Sequence, residues 1–560
     1  MDPRSVPTLR DRRRPAAPVD ELPRGSLAAI TAHSVTKSFS LPRERYTTVR
    51  DRLLHPRPSG AHERMYALRD VSFEVDRGEF FGIVGKNGSG KSTLLRCLAA
   101  IYPVDTGTVD VQGRLVPFIE LGLGFSPELA ARDNAITNAV LLGLSRREAA
   151  ARFDEMLAFA GLEDFAELKL KNYSSGMAVR LAFAVTVHVD ADVLLFDEVL
   201  AVGDGSFRKK CVRRFEQLRD EGKTVILVTH DMEMVRGVCS RALMLHRGEV
   251  VDIGEPDAIA EQYDKLSDGD DRVAPRRAPD ASAAPRPPTR RNPALLGPQP
   301  RRFGSLVGAL ALTEFKLKYS GTAMNLLWAV ARPLAQFGAL LLVFTALRRF
   351  TDTIPHYAAW LLLGIVLWTF FNQVTAGAVS SLSDRSELLR KLPFPHLAVP
   401  LASVATGLVD LAINLMVAFV FILGSGVTPR LAWLELPLLI ALLGVLTTGV
   451  GLALSAFYVR FRDVDQVWQV LSQTIFWLSP IFYVATFLPL GYAKALVLAN
   501  PIAALLTEAR YAIVDPDAPT AASVAGGWVF LLVPLGIVFG SLALGLVLFS
   551  RASPRAAENV

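Results

Sequence analysis

Apolar residues follow two different patterns along the 560-residue chain. In residues 1–300 they form short runs or alternate with polar residues, and charged residues are frequent. In residues 319–550 they form several uncharged stretches that are long enough to cross a bilayer. The pattern therefore predicts a soluble first half followed by a membrane half.

The soluble half is predicted to be an α/β domain. Residues 29–40 and 67–76 alternate between apolar and polar positions, as half-buried strands do. The continuous apolar runs at 80–84, 193–196 and 224–229 are typical of buried strands. If these runs form a parallel sheet, the loops that follow them meet at one edge.

A glycine-rich loop follows the first of these buried runs. Its sequence, Gly85-Lys86-Asn87-Gly88-Ser89-Gly90-Lys91-Ser92-Thr93, fits the phosphate-loop pattern, and an apolar helix is predicted directly after it. Such a loop directs backbone N–H groups at a polyphosphate, at the positive end of a helix. All nine residues are predicted to bind nucleotide, with Lys91 at the β- and γ-phosphates and the Ser92 hydroxyl on Mg²⁺.

The other two buried runs end in residues suited to phosphate chemistry. Asp197 is predicted to hold Mg²⁺ through water, and Glu198 to orient or deprotonate the attacking water. His230, after the next run, is predicted to contact the γ-phosphate. Tyr66 is a candidate for stacking on adenine, although an ordinary tyrosine at the edge of a strand is the alternative.

The segment Tyr173-Ser174-Ser175-Gly176-Met177 resembles the signature motif of ABC ATPases. With the phosphate loop, the Asp-Glu strand and His230 in this order, residues 30–265 are identified as a member of that family. The resemblance implies ATP and Mg²⁺ as cofactors, phosphate contacts from Ser174 and Gly176, and an α/β P-loop NTPase fold with an antiparallel β subdomain and a helical subdomain. It also implies that each ATP site forms between two ATPase domains.

Two segments resemble the ATPases of polysaccharide and teichoic-acid exporters in particular. They are 119–129 and 197–211, and the basic insertion 42–63 resembles a helix that this group carries near the membrane. The resemblance places Glu120 where most ABC proteins have a glutamine that ligates Mg²⁺. It also adds Asp204 to the nucleotide-binding residues.

The N-terminal residues, the cysteines and the net charge indicate the cellular compartment of the protein. Residues 1–28 are rich in Arg and Pro and lack the apolar core of a secretory signal, so they are predicted to be a disordered tail. Cys97, Cys211 and Cys239 lack metal-like spacing and are predicted to be free thiols in a reducing compartment. The net charge of +6 suits loops beside anionic lipid better than nucleic-acid binding.

Four regions are predicted: the tail at 1–28, an ABC ATPase domain at 29–265, a Pro/Arg-rich linker at 266–302 and an all-α transmembrane domain at 303–560. Residues 303–319 are expected to form an amphipathic helix on the inner membrane surface. The six predicted spans are Met324–Leu347, Tyr357–Ser383, Leu401–Gly424, Leu436–Val459, Val467–Leu488 and Trp528–Phe549.

The thirteen uncharged residues of 495–507 are too few to span the bilayer. We expect a re-entrant or interfacial segment there, with helix breaks at Pro480 and Pro501. An even number of spans puts both ends of the domain on the ATPase side, and most basic loop residues agree with this orientation. The charged segments 384–395 and 460–465 are candidates for contacting the ATPase domain.

Two charged residues lie within predicted spans, Arg332 and Asp410. A carboxylate in hydrocarbon is a functional candidate, but a packing pair with Arg332 is the favoured interpretation. The segments 328–333, 459–464 and 477–483 resemble the transmembrane subunit of the same exporters. Aromatic residues near the membrane interfaces could stack on sugars, or form an ordinary interfacial belt.

The sequence thus predicts a multi-pass protein of the cytoplasmic (inner) membrane, with its ATPase domain in the cytoplasm. Its expected function is ATP-driven export of a lipid-linked polysaccharide or a related envelope glycan, by a homodimer in contact with membrane lipids. One alternative is an exporter of lipids or drugs. Another is an ATP-driven regulator that signals across the membrane without moving cargo.

Overall fold

The structure is a computed structural model, and it describes seven segments of the chain. The predicted tail, most of the insertion and most of the linker lie outside them, as do Glu120, Glu198 and Asp204. The segments are 28–41, 63–119, 124–197, 205–267, 300–319, 323–346 and 354–559.

The described strands form two sheets in the first half of the chain. One is a three-stranded antiparallel sheet with the order β2-β1-β4, and the other has six strands in the order β5-β6-β7-β3-β8-β9. The larger sheet is parallel except for the antiparallel pair β8 and β9. The strands are β1 (Ala28–Leu41), β2 (Glu63–Asp76), β3 (Phe80–Val84), β4 (Thr106–Val111), β5 (Leu115–Phe118), β6 (Val193–Asp197), β7 (Thr224–Val228), β8 (Arg241–His246) and β9 (Glu249–Gly254).

Eight α-helices accompany these strands within the described residues. Helices α2 to α5 form a helical subdomain, whose core packs on the face of the larger sheet. The predicted α/β fold with antiparallel and helical subdomains is therefore confirmed. The helices are α1 (Lys91–Leu98), α2 (Ala131–Leu141), α3 (Arg146–Ala151), α4 (Phe153–Ala160), α5 (Ser175–Val187), α6 (Gly205–Asp220), α7 (Met232–Val238) and α8 (Pro256–Ser267).

The second half of the chain consists of helices joined by turns and loops in its described residues. Short 3₁₀ segments and a π-helical turn at Arg510–Val514 connect some of the helices. The helices are α9 (Pro300–Tyr319), α10 (Ala323–Ala346), α11 (Tyr357–Asp384), α12 (Ser386–Lys391), α13 (Ala398–Gly424), α14 (Leu436–Tyr458), α15 (Val464–Leu478), α16 (Leu490–Ala499), α17 (Pro501–Ala509), α18 (Ala521–Ala525) and α19 (Leu532–Asn559).

Five helical segments in the described residues have the length and apolar composition of a membrane span. They correspond to the first four predicted spans and to the last one. The five are Leu327–Ala346, Tyr357–Asp384, Ala398–Gly424, Leu431–Tyr458 and Trp528–Ser553.

The fifth predicted span, Val467–Leu488, has different bounds in the structure. Its helix α15 begins at Val464 and ends at Leu478, because Ser479 is extended and precedes Pro480. Its 15 residues extend over about 22 Å, which is less than the roughly 30 Å of a hydrocarbon core.

The predicted re-entrant segment is a sharply bent pair of helices. Helix α16 and the segment Pro501–Val514 meet at an angle of 107°. Asn500 stabilises the bend, since its side chain accepts from the Ile502 N–H at 3.0 Å and donates to the Ser479 hydroxyl at 2.9 Å. If the bent pair is counted as one span, the described residues contain six.

Both ends of the membrane domain lie on the ATPase side. Helix α9 packs between α2 of the ATPase domain and α13 of the membrane domain. At the other end of the domain, the His396 ring, in the connection between α12 and α13, is 3.0 Å from the Ser553 carbonyl in α19. One apolar core continues from the helical subdomain into α9, α12 and α13.

Candidate nucleotide-binding site

The loop between β3 and α1 can be built only with glycine at two positions. A Cβ atom on Gly85 would lie 2.3 Å from the Leu245 carbonyl oxygen, and one on Gly90 would lie 2.5 Å from the Ala67 carbonyl oxygen. Gly88 has a φ of +79°, and a Cβ there would meet nothing within 4 Å. The loop is therefore packed tightly against the protein at both ends and open in the middle, where a ligand can approach the backbone.

Polar side chains of the loop are positioned for an anion. Lys91 is only 7% exposed, and its ammonium donates to the carbonyl oxygens of Gly85 at 2.6 Å and Lys86 at 3.1 Å. The Ser89 hydroxyl is buried and has no hydrogen-bond partner among the residues that the structure describes. An unsatisfied buried hydroxyl is costly, so its place in a phosphate loop fits a site that a nucleotide completes.

Ser92 and Asp197 come together although 105 residues separate them in the chain. The Ser92 hydroxyl donates to Oδ2 of Asp197 at 3.1 Å. Both are hard oxygen ligands, which suit Mg²⁺, and this ion commonly takes only one or two protein ligands beside phosphate and water. Within the described residues no group of three or more His, Cys, Asp or Glu side chains could hold a metal ion.

His230 follows a strand of the larger sheet, whereas Tyr66 lies in a strand of the smaller one. β7 lies between β6 and β3, and Val228 pairs with Asp197, so His230 follows two residues beyond the level of that carboxylate. Tyr66 precedes Ala67, the residue that packs on Gly90, and its ring lies 5.3 Å from the Arg69 guanidinium. The γ-phosphate contact of His230 and the adenine contact of Tyr66 stay predictions.

The signature segment caps a helix and is open to solvent. Ser174 is exposed and accepts from the Met177 N–H at 3.2 Å, which makes it the N-cap of α5. Gly176, in the first turn, has only the Ser174 hydroxyl within 4 Å of a Cβ position. The N-terminus of α5 is therefore accessible to a phosphate group from outside the domain.

The loop that follows residues 120–123 contacts the membrane domain. A Cβ atom on Gly124 would lie 3.1 Å from Cδ2 of Leu388 in α12, so the two segments touch. Of the two charged segments that the sequence singled out, 384–395 therefore touches the ATPase domain. In the other, Arg462 donates to Ser383 at the end of α11 at 2.8 Å.

The favoured pairing of Asp410 with Arg332 is wrong. Asp410 accepts from the Lys318 ammonium at 2.5 Å and from the Tyr319 hydroxyl at 2.6 Å, both of α9. Lys316 of the same helix donates to Asp133 of the ATPase domain at 2.6 Å. Sequence reasoning missed these partners, although the alternation of charge along the end of α9 was visible.

The three cysteines are buried thiols and form no disulfide. Burial raises the pKa of Cys211 and Cys239 to about 12, so neither reacts readily as a thiolate. This agrees with the predicted free thiols.

Comparison with known proteins covers both halves of the chain. Residues 68–201 match the family described as ABC transporter, and residues 305–514 match the family described as ABC-2 type transporter. The ABC transporter protein AbcA of Aeromonas salmonicida is 44% identical over 246 residues, which are 44% of this chain and 79% of that protein.

Two further relatives are similar to the same share of the chain. The O-antigen export system ATP-binding protein RfbB of Klebsiella pneumoniae is 37% identical over 237 residues, 42% of this chain and 96% of that protein. The teichoic acids export ATP-binding protein TagH of Lactiplantibacillus plantarum is 37% identical over 240 residues, 42% of this chain and 65% of that protein. The chain belongs to the ABC transporter family, and it joins an ATPase domain that hydrolyses ATP for transport to an ABC-2 type membrane domain in one polypeptide.

Proposed function

We propose that two copies of this chain export a lipid-linked polysaccharide, or a related envelope glycan, across the cytoplasmic membrane. The ATPase domains lie in the cytoplasm and bind ATP with Mg²⁺ between them. The names of two relatives, which export O-antigen and teichoic acids, support this class of cargo. The observation that carries the proposal is the row of exposed glutamines along α15.

Helix α15 presents amides on its exposed face. Gln466, Gln469 and Gln473 are exposed and recur at the spacing of one helix face. Gln469 also donates to Asp465 at 2.9 Å. Trp477 is 51% exposed one turn further along the same face. Amides beside an aromatic ring are groups that bind sugars, since they donate to and accept from hydroxyl groups while the ring packs on the sugar face.

Ring contacts support a position deep in the membrane for Gln473. Trp468 packs on Phe371 with ring centroids 6.2 Å apart, and Phe476 packs on Trp368 at 5.5 Å. Phe371 and Trp368 lie about 20 and 24 Å along α11 from its end at Asp384, at 1.5 Å per residue. That end is on the ATPase side. Gln473, between Trp468 and Phe476, is therefore inside a hydrocarbon layer roughly 30 Å thick.

The exposed faces of α13 and α19 differ from that of α15. Every exposed residue from 405 to 424 of α13, and from 532 to 549 of α19, is apolar or glycine. These faces suit lipid. An amide moved into an apolar medium without a partner costs about 1–3 kcal/mol, so the face of α15 needs water, cargo or protein as its neighbour.

Helix α10 also exposes polar residues along one side. Asn325, Arg332 and Gln336 are exposed and lie seven and four residues apart, on one side of the helix. A row of exposed polar residues on each of these two helices supports a second copy of the chain and a hydrated path for a hydroxyl-rich cargo. The exposed signature at Ser174 supports the same dimer, because the family resemblance implies that it faces the phosphate loop of another copy.

Cysteine accessibility tests the hydrated path. In membranes containing the full chain, Gln473→Cys should react with a charged, water-soluble thiol reagent at least ten times faster than Leu544→Cys, which lies on the apolar face of α19. The native thiols are buried and give a low background. Equal, slow reaction at both positions would show that α15 faces lipid and would contradict the proposal.

The cargo needs a separate test. Cells depleted of the protein should accumulate lipid-linked glycan on the cytoplasmic side, and the wild-type chain, but not Glu198→Gln, should reverse this. Accumulation of an unglycosylated lipid instead would point to a lipid exporter.

A further inference from the structure

The last two turns of α9 carry a row of polar side chains, which are bonded either to the ATPase domain or to the membrane domain. The helix already buries Leu306, Ala309 and Leu310 in the shared core, so apolar contacts alone can dock it. Five further residues near its end make the polar contacts. They are Thr313, Glu314, Lys316, Lys318 and Tyr319.

On one side this row holds the ATPase domain. Lys316 pairs with Asp133 at 2.6 Å, and the hydroxyls of Thr313 and Thr137 are 3.1 Å apart. Asp133 and Thr137 are on α2. The neighbour of Asp133 on that helix, Asn134, is 1% exposed.

Asn134 connects this contact to the loop near the nucleotide site. Its side chain accepts from the Ser126 N–H at 2.6 Å and donates to the Ser126 carbonyl at 3.0 Å. Ser126 belongs to the loop that continues from residues 120–123 and touches α12 at Gly124. A displacement of this loop is therefore transmitted directly to the start of α2, where Asp133 lies.

On the other side the row holds α13. Asp410 is 6% exposed and is bonded to Lys318 and Tyr319. One turn earlier, the Thr406 hydroxyl lies 3.3 Å from Glu314, which also pairs with Arg385 at 2.6 Å. Both contacts lie on the same face of α13, since residues four apart are neighbours on a helix.

The polar contacts of α9 are not needed for stability alone, since its apolar residues already pack in the shared core. The Asp410 side chain is only 8% exposed, whereas the Lys318 and Lys316 side chains are 46% and 37% exposed. Burial of a carboxylate costs desolvation, so its pairing with Lys318 adds little net stability over an apolar contact. What the pairing provides is a defined register between α9 and α13, since a small shift would leave the buried Asp410 carboxylate without its cation. Because α9 is bonded to α2 through Lys316 and to α13 through Lys318, a movement of α2 displaces α9 and α13 with it.

We propose that Asp133, Lys316, Lys318 and Asp410 are positioning residues that transmit the nucleotide-dependent movement of the ATPase domain through α9 to the third membrane span. This connection is separate from the apolar contact of Gly124 with Leu388. It requires ATP-driven transport but makes no assumption about the cargo.

A charge exchange tests the connection without knowledge of the cargo. The full chain is reconstituted in nanodiscs with Ser425→Cys, at the far end of α13 and about 22 Å along the helix from Asp410. The labelling rate of this cysteine by a water-soluble thiol reagent is measured without nucleotide and with ATP and vanadate. In the parent we expect nucleotide to change the rate at least threefold.

Asp133→Lys and Lys316→Asp should each abolish this nucleotide-dependent change, and the double exchange should restore it. The KM for ATP should stay within twofold throughout, since neither residue belongs to the nucleotide site. Arg132→Glu is the matched control, because Arg132 adjoins Asp133 but pairs with the exposed Glu167 at 2.6 Å. It should leave the change intact.

Three results would overturn the proposal. The first is a parent whose labelling rate does not respond to nucleotide, and the second is single variants that keep the response. The third is a double exchange that binds ATP normally but does not restore the nucleotide-dependent change in labelling rate. Failure of glycan export to depend on the protein would contradict the proposed cargo but leave this result unaffected.

Discussion

The nucleotide site and the membrane helices use buried polar groups in different ways. In the site, the buried Ser89 hydroxyl finds no partner in the described part of the chain, beside an open glycine loop. In the membrane half, the buried carboxylate of Asp410 is bonded to two side chains of another helix. The first arrangement is completed by a ligand, whereas the second fixes one helix against another. Substitutions should therefore impair catalysis in one region, and coupling or stability in the other.

The largest effect is expected at Glu198. Replacing it with Gln removes the predicted general base while keeping the size of the side chain, so ATP binding should persist while hydrolysis falls about 10²–10⁴-fold. Phosphate release and binding of a fluorescent ATP analogue measure the two separately. Glu216→Gln, an exposed position on α6, should leave both unchanged. Undiminished hydrolysis in Glu198→Gln would remove Glu198 from this role.

A smaller effect is expected at Asp197. Asp197→Asn keeps the contact with the Ser92 hydroxyl possible but removes the charge, so the Mg²⁺ concentration for half-maximal hydrolysis should rise about 10–100-fold. Titration of Mg²⁺ at saturating ATP measures this, and chelation of the metal should stop hydrolysis in both proteins. An unchanged Mg²⁺ requirement would show that Asp197 does not serve the metal.

In the membrane half, the stabilities of a single and a double variant test the contact between Lys318 and Asp410. Lys318→Gln leaves the buried Asp410 carboxylate without its cation and should lower the free energy of unfolding by about 1–3 kcal/mol, because Lys318 is partly exposed. Adding Asp410→Asn should recover part of the loss. Thermal unfolding in nanodiscs measures both. If the double variant is less stable than Lys318→Gln, the charges do not interact as described.

The smallest effect is a pH dependence at Glu314. Burial raises the pKa of this carboxyl above its ordinary value of 4.5, while Arg385 and then hydrogen bonds from Thr406 and Ser403 act in the opposite direction. The folded protein therefore holds this proton more tightly than the unfolded chain does. Stability from this group is present below its ordinary pKa and is lost as pH rises through the raised value. In Glu314→Gln, the free energy of unfolding measured against pH should therefore vary less over this range. An unchanged slope would show that other groups cause the pH dependence.

The nucleotide site was predictable because its residues are contiguous or follow strands of one sheet. The phosphate loop needs no distant partner to be identified, and the register of β6, β7 and β3 brings Asp197 to Ser92 as parallel strands require. The chemical roles of Glu120, Glu198 and Asp204 rest on the sequence, since these residues lie outside the described structure.

In the membrane half, the sequence determined which segments are apolar enough to span, because hydrophobic length is a local property. It also determined the breaks near Pro480 and Pro501, because proline acts on its own helix. Only the tertiary structure decided that Asp410 meets Lys318, 92 residues away, and that the glutamines of α15 face outward. Which helix faces pack together depends on contacts between segments far apart in the chain, and many apolar faces are of similar packing energy. The local sequence therefore does not show which partner a residue will meet.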